Sequence, residues 1–215
     1  MSEGQSILVD TSRCTACRGC QVACKQWNQL PGTQTRQTGT YQNPPDFSHE
    51  TYKVVRFSEG VDEKTGKPYW HFFSDMCRHC VQPPCQVAAN NHEIIVDEDT
   101  GAVIYTPATA NMDFDMARDT CPYDVPRQNP TTKVASKCTM CVDRIKGGLK
   151  PACVLSCPTG ALEFGTRKDI LAKAQQRVEE LKKKWPKAKA LNPDTVRVIF
   201  IVTDDAKKYH QFAEE

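Results

Sequence analysis

Hydrophobic and polar positions along the chain predict short strands and hairpins through the first half and a helix, strand and helix at the C-terminal end. Ile7-Leu-Val-Asp10 reads as a short strand. Thr51 to Ser58 and Tyr69 to Phe73 are rich in β-branched and aromatic residues, and Glu63-Lys-Thr-Gly-Lys67 between them has turn chemistry, so the pair predicts a two-stranded ribbon. Glu93 to Val96 and Ala102 to Thr106, joined by Asp97-Glu-Asp-Thr-Gly101, predict a second hairpin. Ile170, Leu171, Ala174, Val178, Leu181 and Trp185 fall on one face of a helix that opens with Thr166 and Asp169 in capping-box spacing and stops before Pro186. Thr195 to Val202 predicts a buried strand and Asp204 to Glu215 a short terminal helix. From Trp27 to Glu50 the composition turns to Gln, Thr, Asn, Gly and Pro, which predicts an ordered insertion or loop and no helix.

This apolar pattern is thin for 215 residues, of which 39% are hydrophobic and 12 are cysteine. The cysteines change the picture. Cys14-Thr-Ala-Cys17-Arg-Gly-Cys20-Gln-Val-Ala-Cys24 has the spacing C-x2-C-x2-C-x3-C of the bacterial ferredoxin run, in which three thiolates wrap one 4Fe-4S cluster and the fourth reaches a second. Cys77-Arg-His-Cys80-Val-Gln-Pro-Pro-Cys85 opens the same pattern, but its fourth position falls on Ala89. Cys121-Pro122 closes a run whose expected earlier positions hold Asn111, Phe114 and Ala117. Cys138-Thr-Met-Cys141, an insertion, and Cys153-Val-Leu-Ser-Cys157-Pro158 complete the set.

Cross-ligation pairs Cys14, Cys17 and Cys20 with Cys157, and Cys138, Cys141 and Cys153 with Cys24. The middle groups pair Cys77, Cys80 and Cys85 with Cys121, while the complementary set would be Asn111, Phe114, Ala117 and Ala89. One whole site is lost rather than two crippled, which predicts three 4Fe-4S clusters. Phe114, Met112, Met116 and Ala117 are expected to fill the vacated place as a small apolar core, with Asn111 capping their helix. Two other readings of the cysteines stand beside this one. A disulfide framework belongs to smaller secreted domains, and zinc usually takes two separated C-x2-C knuckles, not four thiols inside eleven residues.

Charge alters this reading only locally. A net charge of +2 gives no bulk reason to expect a nucleic-acid partner. Arg13, Arg18, Lys25, Arg78, Lys137 and Arg144 lie beside the thiols and could offset the negative charge of buried clusters. His79 could donate a hydrogen bond to sulfur. Between Asn91 and Thr120 seven acids stand against one base, a stretch suited to steering a basic partner. The longest apolar run, Val198 to Val202, is far short of the ~20 residues that span a bilayer. The N-terminus lacks the features of a secretory signal, so the chain is expected to stay in the cytoplasm or to leave with a partner that carries the signal.

The motifs resemble the iron-sulfur β subunit of formate dehydrogenase, within the four-run ferredoxin-type subunits of molybdenum and tungsten pterin oxidoreductases. The likeness rests on the run from Cys14 to Trp27, Asn43-Pro-Pro-Asp46, Val54-Val-Arg-Phe-Ser-Glu59, Cys121-Pro-Tyr-Asp-Val-Pro-Arg127, Lys137-Cys-Thr-Met-Cys-Val-Asp-Arg144, Pro151-Ala-Cys153 and Cys157-Pro-Thr-Gly160. Members that feed membrane quinone carry four clusters and a C-terminal transmembrane helix. This chain is closer to the soluble periplasmic two-subunit enzymes of sulfate-reducing bacteria. The resemblance implies a non-catalytic electron relay partnered by a large molybdenum- or tungsten-pterin subunit, with a multihaem c-type cytochrome as acceptor. The expected fold is α+β, with two ferredoxin-like 4Fe-4S lobes bearing β-hairpin insertions and a C-terminal helix-strand-helix extension. Residues 1–50 with 131–166 form the two-cluster lobe, 51–130 the lobe that retains one cluster, and 167–215 the extension. The same relay in a sulfur, arsenate or sulfoxide reductase, and a zinc-binding interaction module, are the alternatives.

Overall fold

The computed structural model describes residues 4–90 and 92–215, and the elements named here are those of the described residues. The chain enters through β1 (Gln5–Asp10), buried at all but its first position. The first cysteine run then leads into α1 (Gly19–Trp27). β2 (Val54–Val61) and β3 (Pro68–Asp75) pair antiparallel along their whole length, and Asp62 holds their turn by accepting the N–H groups of Lys64 and Thr65. A smaller hairpin, β4 (Ile94–Val96) and β5 (Val103–Tyr105), precedes the short helix α2 (Phe114–Asp119). β6 (Arg127–Gln128) pairs with β7 (Ala135–Ser136), and α3 (Val142–Lys146) and α4 (Ala152–Leu155) flank the last cysteines. β8 (Leu162–Thr166), α5 (Arg167–Lys182), β9 (Lys189–Leu191) and β10 (Val198–Val202) follow. The class is α+β.

β10 is apolar and buried at every position, and such a strand must be covered on both faces. It lies inside a four-stranded sheet of order β8-β1-β10-β9, parallel to β1 and antiparallel to β9. α5 covers the sheet with Ile170, Ala174, Val178 and Leu181, the face its periodicity predicts, and the Thr166 hydroxyl caps it by accepting the N–H of Asp169. Phe200 of β10 stacks on Phe73 of β3 with ring centroids 4.3 Å apart, which ties the ribbon to the sheet. Full burial of such side chains contributes about 1.5–3 kcal/mol each.

The sheet also places the cysteines. Because β1 and β8 are antiparallel, with Val9 opposite Leu162, the exit of β1 toward Cys14 and the entry of β8 from Cys157 lie at the same end. At the other end, where β10 begins, Cys80 bridges to Val196 and Arg197 donates its N–H to the Arg78 carbonyl. The irregular segment between α1 and β2 is pinned by ions: Asp46 accepts from Arg56 at 2.7 Å and Arg127 at 2.6 Å, and both guanidiniums lie over the Phe47 ring. Three of the segments that carry the family resemblance therefore meet in one contact.

Three expectations are corrected. Asp113, and not Asn111, caps α2, its carboxylate accepting the N–H of Met116. Asn111 instead ends a preceding turn of 3-10 helix, Pro107–Asn111. Met112 and Ala117 do enter an apolar cluster with Cys85, Ile94, Val103 and Ala135, and Phe114 and Ala89 pack against it, but Met116 points outward at 45% exposure. The terminal helix does not form: 204–215 holds a single 3-10 turn, Ala206–Lys208. Tyr209 leaves that turn to stack on His71 at 4.3 Å and to bond Thr203, and these tertiary contacts outweigh a helix too short to stand alone.

Candidate iron-sulfur sites

Three of the four C-x2-C pairs are built on the same backbone device; the fourth, Cys17-Arg-Gly-Cys20, runs into α1. The second spacer residue of all three, Ala16, His79 and Met140, lies in the left-handed region at φ 54°, 47° and 58°. A non-glycine residue there costs roughly 1–2 kcal/mol, so its recurrence at one point of three different sequences implies a return. The return is an N–H aimed at sulfur: His79 donates to Cys77 Sγ at 3.4 Å and Met140 to Cys138 Sγ at 3.3 Å, and the Ala16 backbone does the same for Cys14. At the corresponding point of the vacated run, Asp113 has φ −71° and starts an ordinary helix.

Eight of the thiols gather around two cavities. Cys24, Cys138, Cys141 and Cys153 line one cavity together with Lys53, Met76 and Pro151. Cys77, Cys80, Cys85 and Cys121 line a second, with Arg78, Tyr105, Tyr123 and Lys137 around them. Cys14 lies within electrostatic reach of Cys20 and Cys157. Cys17, the exposed member of that run, sits by Gly19, where an added Cβ would stand 3.6 Å from Cys17 Sγ and 3.5 Å from the Ser156 carbonyl. All twelve thiols are free. Among the described residues no three Cys, His, Asp or Glu side chains converge closely enough to hold a single metal ion, and two of the quartets surround cavities instead of meeting at a point.

Burial followed by mutual repulsion raises the pKa of Cys24, Cys80, Cys138 and Cys141. Burial, then Cys77 and Cys153, pushes Cys138 up to about 12, and burial, then Cys138, pushes Cys141 up to about 11. Cys80 rises further, through burial and its quartet partners Cys77, Cys121 and Cys85. Sulfurs packed this closely become stable thiolates when cationic iron binds them, so the donor set fits a cluster. Cys157 is the exception: burial opposes its charge, but backbone donors at Leu162, Thr159 and Ala161 and the Thr159 hydroxyl outweigh burial and bring its pKa below the ordinary value.

The cations divide sharply. Lys137 is buried, donates Nζ to the Val103 carbonyl at 2.6 Å and the Cys138 carbonyl at 3.1 Å, and lies near Cys85. Arg78 lines the Cys77 cavity, where it is paired with buried Asp75 at 2.7 Å and stacked 4.3 Å over Phe200. Arg144 stacks on Trp27 beside Cys141. The contacts of Arg13, Arg18 and Lys25 are mostly with oxygens: Glu163, the Tyr41 carbonyl and the Glu50 carbonyl. His79 reaches sulfur through its backbone only, since its Nδ1 accepts the Val103 N–H and burial holds the ring neutral.

Sequence reasoning missed Lys53, 1% exposed, whose charged neighbours are Cys20, Cys153, Cys138 and Cys24. Burial works against its charge, but those thiolates outweigh burial and raise its pKa. The available signal was a lysine inside the apolar strand pattern Tyr52-Lys-Val-Val55. Ser74, with its hydroxyl 3.2 Å from Cys20 Sγ, and Tyr105, whose buried hydroxyl lies beside Cys85, carried no such signal.

Residues 68–167 match the 4Fe-4S dicluster domain family. The chain is 50% identical over 217 aligned positions to the formate dehydrogenase β subunit of Megalodesulfovibrio gigas, covering 99% of both chains. It is 43% identical to a protein of Nitratidesulfovibrio vulgaris named formate dehydrogenase 2 subunit beta (cytochrome c-553), over 97% of this chain and 98% of that one. To the nitrate-inducible formate dehydrogenase iron-sulfur subunit of Escherichia coli it is 38% identical, over 94% of this chain and 70% of the relative. Identity sustained along the whole length, on a fold that gathers the thiols around cavities, leads to one conclusion: the chain belongs to the iron-sulfur β subunits of formate dehydrogenase, the electron-transfer subunits of that oxidoreductase.

Proposed function

We propose that the chain holds three 4Fe-4S clusters, in two ferredoxin-like lobes, and relays electrons from formate oxidation at a molybdenum- or tungsten-pterin catalytic subunit to a c-type cytochrome. The observation that carries this reading is that two cavities are each lined by one whole quartet deduced from spacing, Cys24 with the Cys138 group and Cys121 with the Cys77 group. A cluster bound to four thiolates supplies one-electron redox chemistry. The protein's part is to hold the quartets in series and exclude water. Lys53 lies near thiols of both the Cys14 and Cys24 quartets, and Cys138 of the latter has Cys77 as its strongest charged neighbour. The order is therefore the Cys14 quartet, then the Cys24 quartet, then the Cys77 quartet. The fourth place is filled by Met112, Ala117 and their neighbours, so the relay ends at the Cys77 quartet.

No helix among the described residues is long and apolar enough to cross a membrane. With the cytochrome in the name of the Nitratidesulfovibrio relative, this supports a water-soluble acceptor reached in the periplasm, the chain being exported with its partner. The acidic stretch contributes less to docking than its composition suggests. Glu93 is spent on the N–H groups of Asn90 and His92, Asp97 on Lys146 and Thr100, and Asp113 on its helix cap. Glu98, Asp115 and Asp119 remain on the surface.

Iron and acid-labile sulfide analysis of the β subunit, with formate-to-viologen assay of the complex, tests the proposal. The expected value is ~12 iron atoms per chain, three cubanes of four. A reproducible value near ~16, or zinc without sulfide, overturns it. Metal analysis of the complex decides between molybdenum and tungsten in the partner.

A further inference from the structure

Two lysine ammoniums are buried where neighbouring quartets approach each other. Lys53 is 1% exposed and Lys137 is 5% exposed. A buried ammonium is stable only when its charge is compensated, ordinarily by a carboxylate. Here the hydrogen-bond partners are neutral. Lys53 Nζ donates to the Ser74 carbonyl at 3.1 Å and the Met76 thioether at 3.2 Å. Lys137 Nζ donates to the Val103 and Cys138 carbonyls and lies 4.9 Å from the Tyr105 ring centroid. What each ammonium faces as charge is sulfur from two different quartets. Lys53 lines the cavity of the second quartet with Cys24, Cys138 and Cys153, and Ser74, whose carbonyl it binds, holds its hydroxyl 3.2 Å from Cys20 Sγ of the first. Lys137 lines the cavity of the third quartet with Cys77 and Cys85 while its ammonium holds the backbone of Cys138 of the second.

Placement between two anionic centres has a consequence that placement beside one does not. Each added electron makes a cluster more negative, and the field of a fixed cation in the gap acts on both sides of it. In a dry interior that field is only weakly screened. Neither lysine needs to move or change its protonation for this.

Resting on the three-cluster reading above, we infer that Lys53 and Lys137 are gap cations, each a positioning charge that raises the reduction potentials of the two clusters on either side of it. The middle cluster, held by Cys24, Cys138, Cys141 and Cys153, is raised by both. The two gaps are thereby levelled, so an electron leaving the Cys14 cluster meets no isolated low-potential step at the centre of the relay.

The test uses the complete complex with Lys53→Met, Lys137→Met and the charge-keeping Lys53→Arg and Lys137→Arg. Iron content is measured first, so that failure of the three-cluster reading is seen separately. The clusters are then titrated with dithionite as one-electron donor and followed by EPR, with signals assigned through Cys17→Ser and Cys80→Ser. Lys53→Met is expected to lower the midpoints of the Cys14 and Cys24 clusters and to leave the Cys77 cluster unchanged. Lys137→Met is expected to lower the Cys24 and Cys77 clusters and to leave the Cys14 cluster unchanged, and arginine restores both patterns. Unchanged midpoints in an iron-replete protein, or equal movement of all three, overturns the inference. If Lys53→Met loses iron, the Lys137 pair decides alone: movement of the Cys14 midpoint, or none of the Cys77 midpoint, overturns it.

Discussion

Replacing Met112 by alanine tests whether the vacated fourth site has become a core on which the neighbouring quartet depends. Met112 is 9% exposed and packs with Ile94, Val103, Ala117, Ala135 and the thiol-bearing Cys85. Truncation removes three heavy atoms of side chain, worth about 0.8 kcal/mol each, or about 2.4 kcal/mol in transfer free energy. The cavity adds roughly 24 cal/mol per cubic ångström that the surroundings fail to fill, which brings the total to about 2.5–4 kcal/mol. In a domain of this size each kcal/mol lowers Tm by about 2–4 °C, so the loss should be about 5–15 °C. The cost falls on the elements that hold Cys85, so the Cys77 cluster should go first. The assay is a graded heat challenge followed by iron analysis and EPR of the three centres. Met116→Ala, four residues on but 45% exposed, is the control and should cost less than about 0.5 kcal/mol. Equal effects of the two substitutions, or simultaneous loss of all three clusters in Met112→Ala, would refute the reasoning.

Three further outcomes follow from the geometry. Cys157→Ala should destroy the cluster held by Cys14, Cys17 and Cys20 and spare the one held by Cys138, Cys141 and Cys153; EPR showing the reverse would undo the pairing. Burial, with Asp75 opposing and Arg56 and Arg78 reinforcing, pushes His210 from 6.5 down to about 4. Between those values the unfolded chain takes up a proton that the folded chain refuses, so stability drops as pH falls through that window and this residue contributes no slope above it. His210→Phe should flatten Tm against pH there, and an unchanged profile would contradict the assignment. Converting Glu98 to Gln and Asp115 and Asp119 to Asn should slow cytochrome reduction at low salt and matter little at high salt, since steering charges act on association rate. An unchanged rate at low salt would show that the acidic surface takes no part in docking.

What the sequence determined by itself was whatever depends on neighbours a few residues apart. Thiol spacing was legible as ferredoxin-type runs because a C-x2-C turn and one turn of helix place sulfur by local geometry. Strand alternation, the Thr166 cap and the apolar face of α5 were legible for the same reason: each is a short-range pattern with one favourable outcome. Tertiary structure decided the rest. Lys53, one position ahead of β2, is an ordinary lysine until the β2–β3 ribbon folds against the first and last cysteine runs and closes a dry gap around it. Asp113 displaced Asn111 as the cap because the backbone at 113 no longer wraps a thiol turn and is free to begin a helix. Glu93 and Asp97 left the acidic surface once backbone N–H groups and Lys146 reached them. The 204–215 segment gave up its helix when the Tyr209 ring found His71, 138 positions earlier in the chain. Such contacts depend on which surfaces the folded chain brings together, and no local pattern of residues encodes that.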